Sequence, residues 1–434
     1  MLVIYTPKIN SRIEYVAEVC FKHVFKLDYQ ITEDLREFEK TLEPCFWYAS
    51  SKVSEKPGII CDPMMIDTKL IINSPGRTMI DGNMVLFPTE TVKLPNFDVF
   101  AASLWHVARM EEYNHNSKDI FKRFSSDISI TRKIGILNKP MVNIWTEMLL
   151  NSLKNLYPDL EFEKPAYKFI PTIDIDSFFM YRGKGFFRSF AGFTRDLFKK
   201  DYHAVKTRFR VLTRKQKDPW NCFDNINKLH KEQGLSPYYF FLMAKLWKLD
   251  RNISPSKRSV KYLIRDLVKS HTIGIHNSYR GNFKKNVWSK ELKLLEKTAR
   301  SEVFSSRQHY LLVKFPYTFR DLVKIGIKRD FSLVFYDMPG FRMGVSVPIP
   351  FFDLLENKKT DLWLYPTMIT DKNLHKYQSL SKEEAISQAV EIINYTKQYG
   401  GTLVTLWHNE SLSDYGVWQD QNEVYKEILK EAVG

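Results

Sequence analysis

Pro171-Thr172-Ile173-Asp174-Ile175-Asp176 is the stretch on which the fold turns. It follows the apolar residues Tyr167, Phe169 and Ile170 and reads as a strand that stops at two acids. Side chains alternate faces along a strand, so Ile173 and Ile175 point one way while Thr172, Asp174 and Asp176 share the other. Two carboxylates on one face repel each other unless a metal ion or a shared proton uses them. A strand running into an acidic, solvated turn is the other reading of the same residues.

From residue 166 onward, apolar strand-like runs alternate with amphipathic helical ones, the pattern of βα units. Strands are expected at 169–176, 238–243, 272–276, 305–311, 332–336, 361–366 and 402–408. Helices are expected at 220–233, 256–269, 289–300, 318–325 and 381–399. Seven strands fit an incomplete (β/α) barrel, whose site belongs at the carboxyl ends of the strands. Those ends carry Asp174 and Asp176, His276, Arg307 with His309, and His408. The insertion 181–217 is basic and aromatic, and its glycines fit neither a P-loop nor a dinucleotide fingerprint. It is expected to be a loop at the mouth of the barrel, a lid or an anion-binding rim.

Residues 1–165 read as a smaller α/β domain, with a strand at 2–5, a helix at 11–25 capped by Ser11, and helices at 97–110 and 142–157. The stretch 111–116 is polar and loop-like, and His106 and His115 are expected to be structural. The 434 residues are 44% apolar, enough for two cores, and carry a formal charge of +15. That charge favours an anionic partner: nucleic acid, lipid headgroups or a phosphate-bearing substrate. Cys20, Cys45, Cys61 and Cys222 form no CxxC pair, which excludes a zinc ribbon and a CxxC redox motif. No stretch has the length of a membrane span, and a cytoplasmic protein with free thiols is expected.

Four segments in order, Thr172-x-Asp174-x-Asp176, Gly274-Ile275-His276-Asn277-Ser278-Tyr279, Ser306-Arg307-Gln308-His309-Tyr310 and Leu406-Trp407-His408-Asn409, resemble the polysaccharide deacetylase family over residues 167–430. The likeness is to a bacterial branch with an extra N-terminal domain, which 100–124 with Glu111-Glu112-Tyr113 resembles. The resemblance implies a distorted seven-stranded barrel, here at 166–434, that removes an N-acetyl group from a sugar with the help of a divalent metal ion, zinc first. It implies Asp174 as general base, Arg307 as the residue orienting that base, and His408 as general acid. Asp176 and His276 would be metal ligands. Arg280, Tyr279, Arg342, Trp407 and Asn409 are expected to meet the substrate, an N-acetylated sugar or glycan precursor that can be phosphate-linked.

At Arg280 the sequence departs from the family, which has a second ligating histidine there. His271 is a poor replacement, since five residues of strand separate it from His276 by about 16 Å. His309 shares a face with Arg307 on a neighbouring strand, about 5 Å from His276, and is the expected third ligand. Two other readings stand beside this one: a weakened barrel that only binds glycan, and a nucleic-acid-binding protein, for which no motif speaks.

Overall fold

Leu2–Tyr5, four buried residues, form the first strand, and a sheet assembles around it. Tyr29–Thr32 and Cys45–Ala49 flank it in parallel, Gly58–Ile60 continues parallel to Cys45–Ala49, and Thr91–Val92 ends the sheet antiparallel. The computed structural model describes residues 1–67, 74–115, 117 and 119–434, so Asn116, the end of the expected polar loop, lies outside the described residues.

The chain divides into two units, Met1–Lys168 with Val313–Met368 and Glu391–Leu403, and Phe169–Leu312 with Ile369–Val390 and Val404–Gly434. The expected boundary at 165 therefore marks only the first crossing, because 313–368 and 391–403 group with the N-terminal segment. The reason is packing. Tyr15 stacks on Phe352 at 4.6 Å and donates its hydroxyl to the Pro350 carbonyl at 2.9 Å, and Phe335 joins Phe124 and Leu137 in one apolar cluster.

Within this first unit the helix at 11–24 starts at Ser11, but its cap is Asn10, whose side chain accepts from the amides of Arg12 and Ile13. Asp98 caps Val99–Val107 and also accepts from Tyr48 at 2.8 Å and from the Asp62 amide at 2.7 Å. His106 packs edge-on against Trp145 at 5.0 Å, and burial pushes it down to about 3. The buried core of the first sheet includes Val3, Tyr5, Phe38 and Trp47.

The second unit holds the strands that carry the site: β1 (Lys168–Ile175), β2 (Tyr238–Leu242), β3 (Ile273–Asn277), β4 (Ser305–Gln308) and β5 (Thr402–His408). Their spatial order is β4-β3-β2-β1-β5, and β1 to β4 are parallel. Helices between them bury one stripe each; Arg258–Leu267 turns Val260, Ile264 and Leu267 inward, a helical spacing of four and three. The result is mixed α/β. Of the seven expected strands, 332–336 is not one: Ser332 bonds back to Asp330, and Leu333, Val334 and Phe335 are all buried without alternating. The strand expected at 361–366 exists as Lys358–Leu364 but belongs to the first unit. The insertion is not a loop but two helices, Phe186–Phe198 and Tyr202–Leu212. Among the described residues no helix is long and apolar enough to cross a membrane, and all four cysteines are buried and unpaired.

Candidate active site

Parallel register brings the reactive side chains to one end of the sheet. His276 on β3 is level with Arg307 on β4 and with Leu242 on β2, and Asp174 on β1 is level with Phe240 on β2. Inside this end, Asp174 Oδ1 accepts from Arg307 Nη1 at 2.8 Å, and the same nitrogen donates to Thr172 Oγ1 at 2.6 Å. The Arg307 guanidinium lies 4.6 Å from the centre of the Phe240 ring. Gly274 makes room for that ring: a Cβ there would sit 2.4 Å from it. Gly274, Phe240, Arg307 and Asp174 thus form one stack that fixes the carboxylate.

Asp176, His276 and His309 present three ligand atoms within 4.8 Å of one another. His276 Nε2 is 3.1 Å and His309 Nε2 3.6 Å from Asp176 Oδ1. Each ring is turned by a contact at its other nitrogen. His276 Nδ1 meets the Arg307 carbonyl at 3.0 Å, and His309 Nδ1 meets Asp250 Oδ1 at 2.9 Å. With those hydrogens so placed, the neutral rings offer lone pairs rather than N–H groups to Asp176, whose Oδ1 is buried without a hydrogen-bond partner. One carboxylate and two braced imidazoles around a common point fit a divalent ion.

The electrostatics are those of a site that concentrates charge. Burial works against the ionised Asp176, yet Lys372, His309 and His408 hold it well below the usual carboxylate range. Burial likewise opposes a charged His309, but Asp176 and Asp250 raise it to about 9, so the ring holds its second proton at neutral pH until an ion displaces it. On the far side, His408 Nδ1 lies 2.9 Å from Asp371 Oδ2, and its Nε2 faces inward, 3.6 Å from Asp176 Oδ2. Burial lowers His408 and Asp371 more than compensates, so its affinity for a proton is raised.

Three residues of this site carry no sequence signal. Asp250, in the loop after β2, also accepts from the amides of Tyr279 at 2.8 Å and Arg280 at 3.0 Å. Asp371 receives the His408 amide at 2.9 Å. Lys372 Nζ lies 3.2 Å from Asp176 Oδ2, 3.0 Å from His408 Nε2 and 3.5 Å from Glu410.

Six expected residues, Asp174, Asp176, His276, Arg307, His309 and His408, are therefore brought together. The other five are placed differently. Arg280 is half-buried, with its amide bracing Asp250. Tyr279 is buried against Trp247, Phe283 and Tyr310. Trp407 alternates away from His408 and packs on Tyr425 at 4.6 Å. Asn409 donates to the carbonyls of Ser177 and Trp220. Arg342 belongs to the first unit, where it pairs with Glu112 and donates to Val334. His271 sits before β3, 3.0 Å from Ser236 Oγ.

The chain matches a family of unknown function (DUF7033) over residues 2–158. Among curated proteins none matches. Two solved structures resemble it. "Crystal structure of putative polysaccharide deacetylase from Mycobacterium smegmatis" is 14% identical, with a TM-score of 0.40 over 62% of this chain and 85% of that one. The polysaccharide deacetylase Bc1974 from Bacillus cereus is 14% identical, with a TM-score of 0.29 over 62% of this chain and 86% of that one.

Proposed function

We propose that the second unit is a hydrolase that removes the N-acetyl group from a sugar or glycan precursor. The observation that carries this reading is the order of groups at the sheet's end: a carboxylate held by an arginine, three convergent ligand atoms, and a histidine backed by a carboxylate. A divalent ion held by Asp176, His276 and His309, zinc by its taste for this donor set, would polarise the amide carbonyl and acidify a water molecule.

The chain's own groups do the rest. Asp174, oriented by Arg307, takes a proton from the water whose oxygen bonds to the carbonyl carbon. His408 delivers a proton from Nε2 to the nitrogen as the C–N bond breaks, leaving acetate and a free amine. Asp371 at Nδ1 fixes the tautomer and steadies the imidazolium. Arg182 and Lys184, just before the helix Phe186–Phe198, and Arg188 in its first turn suit a phosphate-linked precursor.

Acetate release from N-acetylated hexosamine oligosaccharides by the zinc-loaded protein tests this. Wild type should release acetate, and Asp174→Asn should release none while retaining the ion. A wild type that holds the ion yet releases no acetate would overturn the assignment. A second reading, a glycan-binding barrel without metal, is favoured by Lys372, whose ammonium already supplies a positive charge beside Asp176.

A further inference from the structure

Residues 181–217 hold twelve Lys and Arg against two Asp. They fold as the helices Phe186–Phe198 and Tyr202–Leu212, and a buried clamp fixes the pair. Arg208 Nη2 donates to Asp196 Oδ2 at 2.6 Å, and Arg195 Nη2 donates to Asp196 Oδ1 at 2.8 Å. Gly192 permits the approach: a Cβ there would lie 2.6 Å from the Arg208 guanidinium. The Arg208 guanidinium also stands 4.5 Å from the Tyr181 ring centre. The hairpin's inner face is thus settled, and so is what it turns outward.

What it turns outward is aromatic. Phe186 is 78% exposed, Phe187 86% and Phe198 89%, with Phe190 at 59%. On the second helix Tyr202, Phe209 and Leu212 are exposed at helical spacing, one stripe of a face. Scattered exposed apolar residues are ordinary, but five of the seven exposed phenylalanines among the described residues fall on this one hairpin. Exposed cations flank them, among them Lys199 and Lys200 at the turn and Lys206 and Arg210 on the second helix.

We propose that this hairpin docks on the interfacial region of an anionic lipid bilayer, phenylalanine rings at the acyl boundary and Lys and Arg side chains among the headgroup phosphates. Phenylalanine interleaved with Lys and Arg on amphipathic helices is the composition of interfacial membrane helices. The cores of protein–protein interfaces, by contrast, are depleted in Lys. The surface charge supplies the complement that an anionic membrane needs. Lys199, Lys200, Lys206 and Arg210, the cations of this surface, are not among the residues given a part in the proposed reaction.

Co-sedimentation of the full chain with vesicles tests it, using phosphatidylcholine alone and phosphatidylcholine with a third of phosphatidylserine. Wild type should partition at least tenfold more strongly onto the anionic vesicles, and 0.5 M salt should reverse most of the binding. Phe187→Ser with Phe198→Ser should abolish it, and Lys199→Gln with Lys200→Gln should weaken it; all four positions are exposed, and unchanged melting would confirm intact folding. No partition at low salt, or binding that survives the double phenylalanine variant, overturns the proposal. So does a concentration-dependent dimer that the phenylalanine variant dissolves without any vesicle binding, since the occupant would then be a second copy.

Discussion

The ammonium of Lys372 lies 3.2 Å from Asp176 Oδ2, while His276 and His309 face the other oxygen of the same carboxylate. A fixed cation at that distance repels a divalent ion that shares the same carboxylate. Lys372→Met should therefore raise the zinc affinity of the metal-stripped protein, by about tenfold or ~1.4 kcal/mol. Competition against a chromophoric chelator measures it. A fall in affinity would mean that Lys372 supports the site instead of opposing the ion.

Asp250 braces His309 and the amides of Tyr279 and Arg280 together. Carboxylates behind ligating imidazoles typically contribute about 10–100-fold in metal affinity. Asp250→Asn should weaken zinc binding within that range. An unchanged affinity would show that His309 needs no such partner.

Gly274→Ala would place a methyl group 2.4 Å from the Phe240 ring and 2.9 Å from the Ser305 carbonyl. Overpacking of this kind costs about 1–3 kcal/mol. Because Phe240 supports Arg307, acetate release should fall further than stability or zinc affinity does. Equal losses in all three would reduce Gly274 to a packing role.

Glu112 is buried between Arg109 and Arg342, at 2.7 Å from Arg109 Nε. Burial raises its pKa, but Arg342 and Arg109 outweigh that and hold it down to about 2. A depressed carboxylate stabilises the fold above its ordinary range and loses that contribution as pH falls from about 4.5 toward 2. Glu112→Gln takes the carboxylate from the buried Arg342 guanidinium, while Arg109 keeps Glu111 at 2.8 Å, and should cost about 3–5 kcal/mol. Denaturant melts at pH 7 and pH 3 should show the difference between wild type and variant shrinking at the lower pH. A constant difference would place the effect in packing.

The ends of β1, β3 and β5 are legible in the sequence because apolar residues mark the strand and its last residues are chemically conspicuous, whereas β4, Ser305–Gln308, has no apolar residue and is marked only by Arg307 and the His309 that follows it. Asp250, Asp371 and Lys372 are not, since each reaches the site from a loop or an irregular turn without periodicity. The expected strand at 332–336 misleads for the opposite reason. Its apolar and aromatic content reads as a strand, yet it is irregular chain whose residues Ser332 to Phe335 are all buried. The division of the chain fails likewise at 313–368, where long-range contacts such as Tyr15 with Phe352 decide the grouping and no local signal exists. The insertion's composition is plain from the letters, but its helices are set by Asp196 and Arg208, twelve residues apart.

Calorimetric titration of zinc into the metal-stripped protein tests the central claim most directly. The account predicts one ion per chain in wild type, lost alike in His276→Ala and His309→Ala and kept in His271→Ala. A wild type that takes up no ion, or a His309→Ala variant that binds as well as wild type, would contradict it.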